Sequence, residues 1–516
     1  MARYKIIDRN PKFIPVVLDA QLMVGSFEYA LDYLIDNELD LSRLDSRYKN
    51  DETGAPAYAP AVMLKIVLLA YSRGMISSRA IERACRENVL FIAISGDSAP
   101  QFTTIAKFVR ELGTEIADMF TQVLLTCDTQ GLIGRHMFAI DGVKLPSNAS
   151  KHRSGTHAEL AHDAERMESA VVRMLQTHQS RDVQSPQWES QVEIIADQRR
   201  IEKYQKETQR IREFLATNAE RKNAKGQALK SNVTDNESAK MATAKGVIQG
   251  YTAIAAVDNQ HQIIIAAKAH GSGSEQSTLL PMIRATDSIR SEQTLITADA
   301  GYHSEENIHQ LQQAGIPALI ADGQMRKRDE RFKEQSKYKT RPDPIADKSK
   351  TAEQLKASAA KHKYTPKDFN HDPASNTCIC PAGKELYSNG SNCSIAGRLY
   401  HKFTGNKGNC GSCTQREKCL RTPDKTDVRQ VAFLIKEQKS AVTFIEILRN
   451  AIDSALGRKL YGQRMGTVEP VFGNLRYNKE LDRFTLRGLA KVNTQWHLFC
   501  LVHNIEKLTH SGYAVK

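Results

Sequence analysis

The chain has 516 residues, of which 41% are hydrophobic and 25% are charged. Domains of roughly 100–200 residues are usual, so about three are expected, and the apolar content excludes an intrinsically disordered protein. The net charge of +13 and the isoelectric point of about 9.2 favour a polyanionic partner such as nucleic acid, with a merely basic, solvated surface as the alternative.

The apolar runs do not predict a membrane segment. The longest, APAVMLKIVLLAYSRG, is interrupted by Lys65 and falls short of the ~20 apolar residues that span a bilayer. The first residues, MARYKIIDRNPKF, have no apolar core of the kind that a signal peptide needs. We therefore expect a cytoplasmic protein without membrane association, located at the nucleoid if its partner is DNA.

Residues 1–130 have the pattern of a helical domain. Pro60 begins the apolar run and Gly74 follows it, which is typical of the start and the end of a helix. The segments SSRAIERACREN and TTIAKFVREL follow, and three short helices with tight turns can form a helix-turn-helix-like module. Lys107 and Arg110 could lie on an exposed face of the last segment. We predict a domain for DNA binding or dimerisation, with an ordinary helical bundle as the alternative.

Residues 131–321 alternate between strand and helix patterns, which predicts a mixed α/β sheet. A helical insertion, 150–245, interrupts this region and ends in a predicted loop, NVTDNESAKMATAKG. Asn259 and Gln260 are expected to form the turn of a hairpin between the second and third strands. The first and fourth strands each end in an aspartate, Asp141 and Asp299. The predicted strands are MFAIDGVKL (137–145), YTAIAAVD (251–258), QIIIAAKAH (262–270), TLITADAGYHS (294–304) and IPALIA (316–321).

Three further segments complete the chain. Residues 322–365 are basic and poor in apolar side chains, which indicates either a solvated linker or a segment that follows a phosphate backbone. Residues 366–425 contain most of the cysteines, and residues 426–516 return to helical patterns.

Three acids stand in or beside apolar elements: Asp141, Asp299 and Glu469. A carboxylate near a core costs several kcal/mol unless it is paired or binds a metal. Two strand ends and a helix can meet at one edge of a sheet, where divalent cations would relieve the repulsion between carboxylates. Two Mg²⁺ ions ~3.5–4 Å apart can stabilise both the attacking and the leaving oxygen of a phosphoryl transfer. Any one of these acids, taken alone, would be interpreted as an ordinary N-cap or ion-pair partner.

AIDGVKL, TADAGYHS and YGQRMGTVEPVFGNLR resemble the DDE transposases of bacterial insertion sequences, in the branch with a Tyr–Arg–Glu–Lys signature. The stretch from about Phe13 to Leu112, with PAVMLKIVLLAYSRGMISSRAIERACREN, is similar to the helical domain that opens one group of these enzymes. The resemblance implies an RNase H-like catalytic core, two Mg²⁺ or Mn²⁺ ions, and Asp141, Asp299 and Glu469 as the metal-binding catalytic triad.

The signature transfers residue by residue to Tyr461, Arg464, Glu469 and Arg476. Four residues separate the arginine from the glutamate, where the narrow signature has three, and Arg476 replaces a lysine. Glu469 and Arg476 are seven residues apart, so both should lie on one helical face, with the acid on metal and the cation on DNA. The predicted DNA contacts are Tyr461, Arg464, Arg476, Arg483 and Arg487 here, and Lys107 and Arg110 in the N-terminal domain.

Six of the nine cysteines lie between residues 378 and 419, which in a reducing cytosol indicates a metal site before disulfides. Cys410 and Cys413 have the C-x-x-C spacing of zinc ligands, and Cys419 can supply a third thiolate. CPAG at 380–383 resembles a short loop of related transposases, which makes Cys380 the fourth ligand, with Cys378 as its rival. His401 could replace a cysteine, Cys393 is left outside the site, and free thiols or disulfides are the alternatives. The other cysteines, Cys85, Cys127 and Cys500, are expected in the core.

The resulting prediction is a DNA transposase that hydrolyses phosphodiesters at the ends of its element and transfers the 3′-hydroxyl to target DNA. Its expected partners are double-stranded DNA, as terminal inverted repeats and target, and a second copy of the chain, because two ends must be joined. Two alternatives remain: a metal-dependent nuclease or resolvase with the same fold, and a non-catalytic DNA-binding protein derived from a transposase.

Overall fold

The computed structural model describes residues 15–48, 56–184, 191–223, 226–243, 246–332, 363–390, 393–395, 398–435 and 443–514. The chain divides into two compact units, Met1–Met325 with Phe444–Lys516, and Arg326–Thr443. Most of the predicted basic linker, 322–365, lies outside the described residues, whereas the cysteine-rich segment belongs to the second unit.

The N-terminal region is helical, as predicted. The central helix of this region starts at Pro60, and Gly74 follows its end with a positive φ of 72°. Nearly all of its side chains are buried, which is typical of a helix surrounded by others. The helices are α1 (Phe27–Asn37), α2 (Ser42–Asp45), α3 (Pro60–Ser72), α4 (Ser78–Glu87), α5 (Val89–Ile94), α6 (Phe102–Glu111) and α7 (Glu115–Thr129).

A mixed sheet follows, which confirms the predicted α/β class. Its six strands in the described part of the chain are β1 (Met137–Pro146), β4 (Ala239–Thr243), β5 (Gly246–Asp258), β6 (Ile264–His270), β7 (Leu295–Ala298) and β8 (Ala318–Ile320). Two short strands, β2 (Ser154–Gly155) and β3 (Ser231–Asn232), form a separate pair. Within the described residues the sheet order is β4-β5-β1-β7-β8, and β6 also pairs with β5. The pairs β1–β5, β4–β5 and β5–β6 are antiparallel, whereas β1–β7 and β7–β8 are parallel.

The predicted strand 137–145 is confirmed as β1, in which Asp141 lies near the middle and not at the end, because β5 pairs with β1 from Phe138 to Pro146 and places Ala255 opposite Asp141. One assignment from the sequence is wrong. Residues 239–243, predicted as loop, form the edge strand β4, in which Met241 is buried and pairs with Ile248. The predicted hairpin between the second and third strands is confirmed as β5 and β6.

The predicted helical insertion is confirmed as a hairpin of α8 (His157–Gln184) and α9 (Gln191–Thr217). The two helices enclose a small core of their own, formed by Leu160, Ala164, Met167, Ile211 and Phe214. Two shorter helices, α10 (Leu279–Arg284) and α11 (Glu305–Gln313), connect the later strands of the main sheet.

The second unit is a small sheet with short helices and a limited apolar core. The core side chains are Phe369, Cys378, Leu386, Phe403 and Val431. Its elements are β9 (Asn370–Asp372), β10 (Thr377–Ile379), β11 (Glu385–Ser388), β12 (Cys393–Ile395), β13 (Arg398–Thr404), α12 (Lys407–Gly411), α13 (Arg416–Cys419) and β14 (Gln430–Leu434).

The C-terminal helices return to the first unit as α14 (Phe444–Asp453), α15 (Ala455–Gly473) and α16 (Leu489–His510), and a π-turn, Asn474–Asn478, follows α15. α16 is buried along most of its length. Trp496 is fully buried, and its indole N–H donates to the Ile254 carbonyl at 3.1 Å, which ties α16 to β5. Cys85, Cys127 and Cys500 are buried, as predicted.

None of the helices within the described ranges combines the length and the apolar character needed to cross a bilayer.

Candidate active site

The parallel register of β1 and β7 brings two predicted acids together. Ile140 lies opposite Ala298, so Asp141 and Asp299 are the next residues after this pair in the two parallel segments. Asp299 directly follows β7, and its Oδ1 accepts a hydrogen bond from the Gly301 amide at 2.9 Å. This cap holds the Asp299 carboxylate at the end of the strand, next to Asp141.

Asp141 is held by a cation and by the backbone. Arg464 Nη1 donates to Asp141 Oδ2 at 2.8 Å, and the Gly142 amide donates to Oδ1, also at 2.8 Å. Burial raises the pKa of Asp141 and Asp299 acts in the same direction, whereas Arg464 and the Gly142 amide lower it. A Cβ at Gly142 would lie only 3.0 Å from Thr252 Cγ2, so a larger residue would need this side chain to shift.

The arginine, and not the glutamate, of α15 faces Asp141. Arg464 is only 7% exposed, and its guanidinium carbon lies 5.8 Å from the centre of the Tyr461 ring. Glu469 is five residues further along, ~140° around the helix, and is exposed. Membership of Glu469 in a carboxylate triad therefore stays a prediction, whereas Asp141 and Asp299 are neighbours.

Glu275 is an acid of this site that the sequence analysis missed. It lies after β6 in the loop GSGSEQS. A Cβ placed on Gly301 would be 2.9 Å from Glu275 Oε2 and 3.0 Å from Asp299 Oδ1. Burial raises the pKa of Glu275, Asp299 and Asp141 add to this, and Lys144 opposes them. The only signal in the sequence was a lone glutamate in a Gly- and Ser-rich loop after an apolar strand, which many surface loops share.

An open groove of about 750 Å³ borders the acids. Lys144 and Arg476 line it together with Glu275 and Asp299. The Nε of Arg476 is buried and has no hydrogen-bond partner among the described residues, while the residue as a whole borders the groove. Glu469 is not one of the described residues that line this groove, and the π-turn after α15 interrupts the regular spacing expected to place it beside Arg476.

The other predicted DNA contacts lie at the surface. Lys107 and Arg110 are exposed on α6, as expected. Arg483 Nη2 donates to Asn148 Oδ1 at 3.2 Å, and Arg487 Nε donates to the Asn148 carbonyl at 2.8 Å. Both arginines thus hold the loop after β1 and remain exposed, so a contact with DNA stays a prediction for all four cations.

The acids offer carboxylate oxygens as donors to a divalent cation. Among the described residues, no three His, Cys, Asp or Glu side chains are already arranged as a metal-binding group. The space that a Cβ of Gly301 would fill is nevertheless flanked by carboxylate oxygens of Glu275 and Asp299. Oxygen ligands of this kind are what Mg²⁺ prefers, so the chemistry of the donors fits such an ion.

The four cysteines predicted as zinc ligands border one pocket of the second unit. Burial raises the pKa of Cys419, Arg429 lowers it, and Cys410, Cys380 and Cys413 raise it further. Within the described ranges the cysteines do not form a ready-made metal-binding group, so the zinc site stays a prediction. Cys378, the rival ligand, is fully buried in the small core of this unit. The bordering cysteines are Cys380, Cys410, Cys413 and Cys419.

Comparison with known proteins gives two matches to protein families. A family described as "Transposase DDE domain" matches residues 379–509, which include the four pocket cysteines and all of α15. A family described as "Transposase domain (DUF772)" matches residues 16–111, which include α1 to α6. No curated protein and no solved structure gives a significant match to the chain. Both matches are to transposase families, which supports the assignment of the chain to the DDE transposases of the insertion-sequence type.

Proposed function

We propose that this transposase hydrolyses phosphodiesters at the ends of its element, in a reaction that needs divalent cations, and transfers the freed 3′-hydroxyl to target DNA. The observation that supports this most is the pairing of Asp141 and Asp299 at one level of two parallel strands, beside an open groove that contains Arg476. Paired carboxylates next to a phosphate-binding cation are the arrangement that metal-assisted phosphoryl transfer requires.

The strand order supports an RNase H-like core. β6, β5 and β1 are antiparallel neighbours, and β7 and β8 continue the sheet parallel to β1. The resemblance to insertion-sequence transposases with a Tyr–Arg–Glu–Lys signature implies the same fold. In this proposal β1, β5, β6 and β7 are the first four strands of the core, so that Asp141 belongs to the first and Asp299 follows the fourth.

The roles follow from where each side chain lies. Asp141 and Asp299 hold two Mg²⁺ or Mn²⁺ ions, which when bound stabilise the negative charge that develops on the attacking and leaving oxygens. Arg476 and Lys144, both in the groove, hold the phosphate of the cleaved strand. Arg464 neutralises Asp141 in the ion-free protein and must release a carboxylate oxygen before that oxygen can serve as a ligand.

Glu469 completes the triad in this proposal through a movement of α15. The contact between Arg464 and Asp141 fixes the present position of this helix. Phosphate groups of bound DNA compete for Arg464, because a guanidinium binds phosphate as well as carboxylate. Because Glu469 lies ~140° around α15 from Arg464, it reaches the acids in this proposal only if the release of Arg464 lets α15 rotate toward β1.

The test is DNA cleavage by single variants that keep size and remove charge: Asp141→Asn, Asp299→Asn and Glu469→Gln. Each is assayed with Mg²⁺ and with Mn²⁺ on DNA that carries the ends of the element. We expect each to abolish cleavage and to retain DNA binding, whereas Glu292→Gln, at an exposed position before β7, cleaves normally. A residue whose variant cleaves at the wild-type rate is not a catalytic ligand.

Strand transfer separates the proposal from its alternatives. Joining of a 3′-hydroxyl to target DNA distinguishes a transposase from a nuclease or resolvase that only cuts. DNA binding without any Mg²⁺-dependent cleavage would instead indicate a non-catalytic descendant of a transposase. Two terminal inverted repeats must be held together for this reaction, so we propose a homodimer that acts at the nucleoid.

We also propose a structural Zn²⁺ in the second unit. This unit has a core of few side chains, and a tetrahedral thiolate site adds folding free energy to such a segment. Metal analysis tests the assignment: Cys410→Ser should lose the bound zinc, whereas Cys393→Ser, at the cysteine on β12, should keep it. Equal zinc contents in Cys410→Ser and the wild type would refute the site. The four proposed ligands are Cys380, Cys410, Cys413 and Cys419.

A further inference from the structure

Glu275 is fixed beside the turn that carries Asp299. Asn307 Nδ2 donates to the Gln276 carbonyl at 2.8 Å and to the Tyr302 carbonyl at 2.9 Å, so one amide joins the two segments. Gln276 Nε2 adds a hydrogen bond to the His303 carbonyl at 3.2 Å. The loop that contains Glu275 is therefore attached to the turn after β7 through its neighbour Gln276, and the approach of Glu275 to Asp299 is built into the fold.

The absence of a side chain at Gly301 leaves space between the two acids. A Cβ there would lie 2.9 Å from Glu275 Oε2 and 3.0 Å from Asp299 Oδ1, so the two oxygens are at most about 6 Å apart. A divalent cation binds carboxylate oxygens at ~2.0–2.6 Å, so one ion beside Gly301 could bind both after a small inward shift of either side chain. Alanine at 301 would occupy this space.

A second observation, independent of the acids, also indicates a ligand here. Tyr302 is fully buried, yet its hydroxyl has no hydrogen-bond partner among the described residues. The hydroxyl lies 3.3 Å from the position that a Cβ of Gly142 would take, directly after Asp141. Burial raises the pKa of Tyr302, Glu275, Asp141 and Asp299 raise it further, and Arg464 lowers it. A buried hydroxyl without a partner indicates a site for an ordered water or an ion.

We propose that Glu275 is a ligand of the divalent-cation site together with Asp299 and Asp141, and that the Tyr302 hydroxyl hydrogen-bonds to a water of this site. The proposal rests on the function proposed above and extends its set of ligands by a residue outside the predicted triad. In the protein without DNA, Glu275 and not Glu469 supplies the third carboxylate.

The test uses Mn²⁺ alone with the full-length protein and no DNA, and free Mn²⁺ is counted by electron paramagnetic resonance. We expect Glu275→Gln to weaken Mn²⁺ binding roughly tenfold or more, and Tyr302→Phe to weaken it less. Glu292→Gln, the control at an exposed position, and Glu469→Gln should both bind like the wild type. Wild-type binding by Glu275→Gln together with lost binding by Asp299→Asn would overturn this inference and leave the proposed function intact. Wild-type binding by Asp299→Asn and Asp141→Asn would overturn both.

Thermal melting gives a second readout that a structural role of Glu275 would not produce. In EDTA, Glu275→Gln should melt at a higher temperature than the wild type, because it removes one of several mutually repelling carboxylates. Addition of Mn²⁺ should raise the melting temperature of the wild type but not that of Glu275→Gln or Gly301→Ala. A lower melting temperature of Glu275→Gln in EDTA would indicate a structural role and contradict the inference.

Discussion

Arg464 donates a hydrogen bond to Asp141 from a position 323 residues away in the sequence, and this contact joins α15 to the centre of β1. Both side chains are largely buried, at 9% and 19% exposure. The pair balances charge at a site where the neighbouring acids would otherwise repel one another. It also makes Arg464 a competitor of any cation that binds Asp141.

The first prediction concerns how much this ion pair contributes to the stability of the protein, measured in EDTA. Arg464→Met leaves a buried carboxylate without its partner, which should lower the free energy of unfolding by about 3–5 kcal/mol. Chemical denaturation measures the effect. The double variant Arg464→Met with Asp141→Asn should recover part of the loss, because the unpaired charge is gone.

The control for this prediction is Arg86→Met, which breaks an ion pair with Glu82 on the surface of α4, where the arginine is 58% exposed. That change should cost no more than about 1 kcal/mol. Equal losses in Arg86→Met and Arg464→Met would mean that the buried pair does not stabilise the fold.

A second prediction concerns stability at acidic pH. His503 on α16 is buried, its Nε2 lies 2.9 Å from the Gln262 carbonyl, and its Nδ1 lies 3.1 Å from Asn474 Nδ2. The neutral ring satisfies both contacts, with Nε2–H as donor and Nδ1 as acceptor. Burial, with smaller contributions from Lys507 and Lys479, lowers the pKa of His503, the hydrogen bond to the Gln262 carbonyl opposes this, and the resulting pKa is about 4.

The unfolded chain binds a proton at this histidine below about pH 6.5, whereas the folded chain does not until about pH 4. The contribution of neutral His503 to the free energy of unfolding should therefore be fully present above pH 6.5. It should decrease as the pH falls from 6.5 to 4, by roughly 3 kcal/mol in total. Denaturation curves across this range measure the slope. His503→Gln should flatten it, and His152→Gln, at an exposed histidine, should not. An unchanged slope in His503→Gln would contradict the assignment.

Elements whose signals lie in neighbouring residues could be predicted from the sequence. Features that depend on contacts between distant segments could not. Asp299 could be placed because it directly follows a short apolar strand. The edge strand β4 could not, because it depends on pairing with β5 and its own residues have the pattern of a loop. Glu275 is brought to Asp299 by the amide of Asn307, and no pattern near Glu275 contains that information. For the same reason the sequence did not show that α15 turns Arg464, and not Glu469, toward β1.

A third prediction concerns DNA affinity. Arg476→Ala should weaken binding to element-end DNA and reduce the slope of log K against log salt by about 1, because one phosphate contact is lost. Its Nε has no hydrogen-bond partner among the described residues, so we expect little change in stability. Titrations at several salt concentrations measure the slope. Arg166→Ala, on the inserted hairpin and 70% exposed, is the control and should bind like the wild type. An unchanged slope in Arg476→Ala would show that this arginine does not contact DNA.

The central claim is that the acids beside β1 and β7 bind the cations that cleave DNA, and the most direct test is a change of metal preference in Asp299→Cys. A thiolate binds Mg²⁺ poorly and accepts softer ions such as Mn²⁺ more readily. We predict that Asp299→Cys loses cleavage of element-end DNA in Mg²⁺ and recovers part of it in Mn²⁺, whereas Asp299→Asn stays inactive in both. Wild-type cleavage by Asp299→Cys in Mg²⁺, or the same residual activity with both metals, would contradict the claim.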